Sequence, residues 1–392
     1  MIRVGPSGKI AQYFLKNKLT LLIVIAAILL GVFAIIMTPR EEDPQIEVPM
    51  VDIFIPMPGA TPTEVEQRAV TPMEKLFWEI PRVKYVYSTS SPNMGMIIVR
   101  FKVNTDENSA MVHIYDKIMG HRNELPPDAM QPIIKLHSID DVPVLALTLW
   151  GKNYDSYTLS RIGRELELEL RQVQGVSNVK VIGSQKREIR VVLDPVQMAA
   201  HHVNPLTIAQ SLRAFNSRLP AGDLVNNNKE IRLEVGSWLK DKRDVASVLV
   251  GFYQGSPVYL GDVARIVDGP PLPSHYVLFG VGPSAKEKGV PASAHGEYPA
   301  VTLSIAKRKG VNATALNETL LHKVRELKGD LLPLDLNVTV TRDYGKTAEE
   351  KSNELIKHLL LATFSVVLLI ALMLGWRESI VVGIAVPVTL SA

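Results

Sequence analysis

The chain has no cysteine among its 392 residues, so it forms no disulfide of its own, which fits an oxidising compartment whose proteins do without them. An excess of charge is missing too: 43 Lys and Arg against 40 Asp and Glu leave a net +3, too little to imply nucleic acid. The basic residues form no stripe interleaved with aromatics. There is no Walker-type glycine loop and no nucleophile-elbow signature, so direct ATP use and that hydrolytic chemistry have no support. No metal or other cofactor is expected. His201 and His202 are adjacent, so they cannot share a helix face as i, i+4 ligands do, and they read as exposed. Met94-Gly95-Met96 is one local thioether pair, too slight for a soft-metal site in a chain without cysteine.

Long uncharged apolar runs are present: Leu19 to Met37, Leu359 to Trp376, and Ile380 to Ala392. At ~1.5 Å per residue the first makes a helix of roughly 28 Å, close to the ~30 Å hydrocarbon core of a bilayer. It is longer than the ~7–15 apolar residues of a signal-peptide core, and no small-residue cleavage site follows it. Arg3, Lys9, Lys16 and Lys18 precede this run, while Glu41, Glu42 and Asp43 follow it. That bias predicts a cytoplasmic amino terminus (1–18), spans at 19–37 and 355–376, and a third span begun at 380–392. The third run is still apolar where the sequence stops, so the expectation is a piece of a longer protein. A sensory receptor also places two spans around an outside domain, but it would continue into a cytoplasmic signalling domain rather than turn straight into another span.

Roughly 320 residues between the first two spans exceed one ordinary domain. From Met50 the pattern predicts a strand, a turn at Pro58-Gly59, a helix opened by Thr61 to Glu64, a strand over 83–87, a strand over 94–103, a helix over 108–123 and a strand over 133–136. That order is β-α-β-β-α-β, the split ferredoxin-like unit. It restarts at Val144 with a strand, a helix over 156–172 and a strand over 176–182, and it resumes with a strand over 300–306, a helix over 313–328 and a strand over 336–341. Between these halves lies an insertion, 185–268, with a polar tip at Asn226, Asn227, Asn228 and Lys229. Gly280 to Glu297 reads as a loose surface loop.

Several short motifs run in one order along the whole chain: Pro58-Gly59-Ala60 with Val65-Glu66, Leu212 with Asn216 and Pro220-Ala221-Gly222, Tyr259 to Ala264, Lys309 to Ala313, and Ile384 to Pro387. Through them the chain resembles the inner-membrane pumps of the resistance-nodulation-division (RND) efflux superfamily, of the acriflavine-resistance type. The resemblance implies an α+β membrane protein in which transmembrane helices carry periplasmic, repeated ferredoxin-like porter subdomains with an inserted α+β docking subdomain. It maps porter subdomain 1 to 38–138, porter subdomain 2 to 139–184 with 269–345, and the docking insertion to 185–268. It implies proton-driven export of hydrophobic or amphiphilic compounds by a secondary transporter, not an enzyme. The partners would be two further copies in a homotrimer, a periplasmic membrane-fusion adaptor, an outer-membrane channel, the lipid bilayer and a small-molecule substrate. Export of heavy-metal cations by the same superfamily is the alternative.

The first two apolar runs contain no Asp or Glu, so the proton relay is expected beyond residue 392. The resemblance further implies that Phe54, Met96, Lys135 and His137 look into a cleft between the porter subdomains. Strand alternation supports the grouping, since Lys135 and His137 share one face, as do Asp52, Phe54 and Pro56. Phe54 and Met96 would otherwise be core packing, and the basic pair is expected to favour anionic or polarisable groups. Gly222, Asn226, Asn227, Asn228 and Lys229 are expected to serve subunit contact and docking. Asp140-Asp141 reads as a turn.

Overall fold

Alternating apolar residues at Val51, Ile53 and Ile55 make a half-buried strand, and the Thr61-to-Glu64 sequence starts a helix by satisfying its first free amides. The computed structural model describes residues 14, 17, 19–41, 46–226 and 229–391. Most of segment 1–18, Asn227, Asn228 and Ala392 lie outside the described residues. After helix α1 (Leu19–Met37) come β1 (Met50–Pro56), α2 (Pro62–Val65), a π turn (Glu66–Val70), α3 (Thr71–Trp78), β2 (Val83–Ser91), β3 (Met94–Phe101), α4 (Glu107–Gly120) and β4 (Ile133–His137). The strands form an antiparallel sheet in the order β2-β3-β1-β4.

One face of this sheet carries Val51, Ile53, Ile55, Ile97, Val99 and Phe101 against Val65, Ala69, Val70, Met73 and Phe77 of the α2–α3 segment and Ala110 and Ile114 of α4. The Thr61–Glu64 capping box is formed: the Glu64 carboxylate accepts from the Thr61 amide at 2.8 Å, and these bonds hold its pKa below the usual carboxylate range. β2 runs past the expected Tyr87 to Ser91 because β3 continues to pair with it up to Ser91–Met94, with Asn93 turning the chain at φ +68°.

The same plan recurs. β5 (Pro143–Trp150), α5 (Ser156–Arg171) and β6 (Val176–Ile182) are followed by β7 (Glu188–Leu193), α6 (Pro195–Ala200), α7 (Pro205–Phe215), β8 (Leu219–Asn226), β9 (Lys229–Val235), α8 (Lys242–Ala246), β10 (Leu249–Tyr253), β11 (Ser256–Tyr259), α9 (Leu260–Val263) and β12 (Ala264–Gly269). Then come β13 (Leu278–Gly280), β14 (Glu297–Lys307), α10 (Ala313–Glu326) and β15 (Asn337–Asp343). The strands β6, β14, β5 and β15 lie side by side in that order, which repeats β2-β3-β1-β4. Leu145, Leu147, Leu149, Val301, Leu303 and Ile305 bury against Leu159, Leu166 and Leu170 of α5 and Leu316 and Leu320 of α10.

The inserted segment has its own small core around Ile208, Val248, Val250, Val258 and Leu260. β7 and β12 pair antiparallel at its base. There Arg187 Nε donates to Asp268 Oδ1 at 2.7 Å, and this partner keeps the Asp268 carboxyl below its ordinary pKa.

The stretch from Gly280 to Glu297 is not the loose loop expected from its small and polar residues. β13 pairs with the start of β14, which also lengthens β14 beyond the expected 300–306. Val290 and Ala294 are buried with Ala300 against Trp150, whose ring stacks on Phe279 at 4.5 Å and 9°. An aromatic partner too far away in sequence to be inferred orders the segment. β15 ends at Asp343, which caps the 30-residue α11 (Tyr344–Met373). α12 (Trp376–Ser391) follows a turn that needs Gly375 at φ +112°. Among the described residues one helix, α11, is long and apolar enough to cross a membrane, with a mean hydropathy of 2.3 over its apolar stretch. Leucines along α1 and α11 are exposed, and α12 lies against both helices.

Candidate functional site

A sheet with helices on one side leaves the other side bare. On the helix-free face of the first sheet, cross-strand register places Tyr87, Ile98, Asp52 and Lys135 in one row, and Thr89, Met96, Phe54 and Ile133 in the next. Tyr85, Arg100, Met50 and His137 form a third row. All four residues expected on the substrate path, Phe54, Met96, Lys135 and His137, therefore share one face. Phe54 and Met96 are half-buried and stand outside the core that holds Ile53 and Ile97, so they do not pack it. Lys135 and His137 are exposed.

These groups contact one another. The Lys135 ammonium sits 5.1 Å from the centre of the Phe54 ring, a cation–π distance. His137 Nε2 donates to Asp52 Oδ2 at 2.8 Å. Tyr85 and Tyr87 add a pair of rings 5.8 Å apart at the far edge of the face. Asp52 is the member that residue patterns could not single out, since its bond to His137 depends on pairing between strands 85 residues apart. The corresponding face of the second sheet is built differently. Thr148 bonds Thr302 at 2.9 Å and Thr341 at 3.1 Å, and Trp150 Nε1 donates to Thr339 at 2.9 Å, so small hydroxyls replace the apolar anchors.

The second expected group lies in the β8–β9 hairpin. Gly222, at φ +110°, marks a break in the register between the two strands, and Asn226 pairs with Lys229 at the tip. Leu224 opposite Ile231, with Leu233 and Val235, gives one apolar face. The other face carries Asp223, Glu230, Arg232 and Glu234, with ion pairs Arg218–Glu234 and Arg232–Asp223. Every β9 residue is exposed, so nothing among the described residues covers the apolar face.

Other groups singled out in the sequence fall elsewhere. Asp140 and Asp141 lie in a 3-10 turn, as their pattern suggests. His202 is exposed, whereas His201 is half-buried; both rings contact Tyr253, at 5.3 and 5.9 Å. Met94 lies on the bare face beside Met96. No group of three or more His, Cys, Asp or Glu arranged to hold a metal occurs among the described residues.

Residues 10–392 match the model of the AcrB/AcrD/AcrF family. The multidrug resistance protein MdtC of Pectobacterium atrosepticum is 26% identical over 383 residues, which is 97% of this chain and 36% of that protein. The protein of the same name from Yersinia enterocolitica matches at the same 26% identity and the same coverage. The chain thus spans about a third of the length of these curated relatives.

Proposed function

This chain belongs to the AcrB/AcrD/AcrF family, and on that premise we propose that it is part of an RND multidrug efflux transporter in the bacterial inner membrane, driven by the proton-motive force. In this reading α1, α11 and α12 span the bilayer, residues 38–357 lie in the periplasm, and the proton-carrying residues belong to the rest of the protein. One proton falling through ~100 mV supplies ~2.3 kcal/mol from the potential alone. The whole transporter works as a homotrimer that hands its substrate to a periplasmic adaptor and an outer-membrane channel. The names of the relatives favour drugs and other amphiphiles over metal cations.

Phe54, Met96, Lys135 and His137 form part of the substrate path. The observation that carries this reading is the bare face itself: apolar anchors and charged side chains stand together on a sheet whose other side already holds a complete core. Apolar surface of this kind marks a place where something binds. The test replaces Phe54 by alanine in the intact pump and follows export of several amphiphilic compounds at matched expression. Unequal losses, about tenfold for some compounds and little for others, are expected. An equal change for every compound, or a change in protein abundance alone, would make Phe54 structural.

The β8–β9 hairpin, with Gly222, Asn226, Asn227, Asn228 and Lys229, makes the contact between subunits. A two-stranded hairpin is marginal by itself, and one with an uncovered apolar face gains stability from a neighbour. Deleting 222–229 from the intact pump is expected to convert trimer to monomer on native gels, and an unchanged trimer would refute the contact.

A further inference from the structure

The basic pair of the bare face that is expected to attract anions is already engaged, His137 with Asp52 and Lys135 on the Phe54 ring, while Arg100 stands exposed in the same row as His137. What lacks a partner is an anion's own oxygen. Asp52 keeps 17% of its side chain exposed, and its Oδ1 is buried with no hydrogen-bond partner among the described residues. Lys135 stands directly opposite Asp52 in the register between β1 and β4. Its ammonium nevertheless sits on Phe54, and the one ion pair of Asp52 among the described residues is with His137. A buried carboxylate oxygen without a donor is unfavourable, and the site gains when a donor is brought to it. The Lys135–Phe54 contact is exposed and weak, so it can be exchanged for another cation.

Resting on the substrate-path reading above, we propose that Asp52 is a specificity-determining residue that selects amphiphiles carrying a protonated amine. A small turn of the Asp52 side chain brings Oδ1, buried in this structure, out to the ligand's N–H, the carbon chain lies over Phe54, Met96 and Ile98, and Lys135 leaves the ring for solvent. His137 engages Oδ2, which leaves Oδ1 as the receiving atom. Ile98 and Phe54 flank Asp52 on the same face, one across the strand and one along it, so head and tail have adjoining places. Lys135 acts as an internal competitor: it occupies the ring until a ligand cation displaces it.

The test compares three probes with the same tail on the full-length transporter: decylammonium, decyltrimethylammonium and decyl sulfate, each radiolabelled and held below its micelle concentration. Asp52→Asn is expected to weaken decylammonium binding about tenfold, as loss of one charge-assisted hydrogen bond implies, and to leave decyl sulfate within about twofold. Decyltrimethylammonium, which has the charge but no N–H, falls between them. Lys135→Met is expected to tighten decylammonium by vacating the ring. An equal loss of all three probes in Asp52→Asn, or none for decylammonium, overturns the role of Asp52. Should Asp52→Asn fail to assemble, Lys135→Met decides: no gain for decylammonium relative to decyl sulfate overturns the proposal. Phe54→Ala separates the two claims. Because the three probes share one tail, weaker binding of all three by a variant whose melting temperature is unchanged keeps the path whatever Asp52 does; if it alters none, the path reading itself fails.

Discussion

Replacing Trp150 by alanine is expected to destabilise the second sheet by about 3–5 kcal/mol, the range for removing a fully buried aromatic. Trp150 is 2% exposed, stacks on Phe279 at 4.5 Å, meets Tyr298 at 5.0 Å and donates Nε1–H to Thr339 at 2.9 Å. It is also the side chain against which Val290 and Ala294 bury, so its loss frees the segment between β13 and β14 as well as opening a cavity. Limited proteolysis should then cut within 281–297, and the melting temperature should fall by several degrees. Trp150→Phe keeps the stack and loses the hydrogen bond, so its cost should be near 1 kcal/mol. Unchanged melting and unchanged protease resistance in Trp150→Ala would mean that the β13–β14 pairing at its two ends is enough to hold the segment.

The second large effect is expected at Lys307, the last residue of β14. Its ammonium lies 2.9 Å from Glu41 Oε1, with the side chains only 9% and 17% exposed. Glu41 follows α1 by four residues, and its neighbour Arg40 donates to Asn353 of α11 at 3.1 Å. These contacts tie the strap that leaves α1 to the second sheet and to the helix that follows it. Lys307→Met leaves a largely buried carboxylate without its countercharge, at a cost of about 2–4 kcal/mol. Adding Glu41→Gln removes the orphaned charge, so the double variant should recover most of that loss. Chemical unfolding of the single and double variants measures it. A double variant as unstable as Lys307→Met would show that packing of the Lys307 stem, rather than charge, holds the strap.

Much of the fold was legible in the residues themselves. Period-two alternation at Val51, Ile53 and Ile55 identified the buried face of β1, and by elimination its bare face, before any partner was known. The matched order of strands and helices announced the second unit, because the same pattern of apolar residues must bury against helices in the same way. The candidate face was readable to the same extent: alternation put Asp52 and Phe54 on one side of β1, and Lys135 and His137 on one side of β4.

What joined those sides was register. Only the pairing of Met50 with His137 and Asp52 with Lys135 brings an imidazole onto the carboxylate, and only the side-chain arrangement puts the Lys135 ammonium on Phe54 and leaves Asp52 Oδ1 without a partner among the described residues. The order of the segment after Gly280 is hidden from the sequence for a similar reason, since its small residues pack on Trp150, which belongs to a strand more than a hundred positions earlier. Local patterns decide which side of an element avoids water, because burial depends on periodicity within that element. Which charged or aromatic groups meet depends on how distant strands align, and that alignment is settled by the packing of the whole sheet.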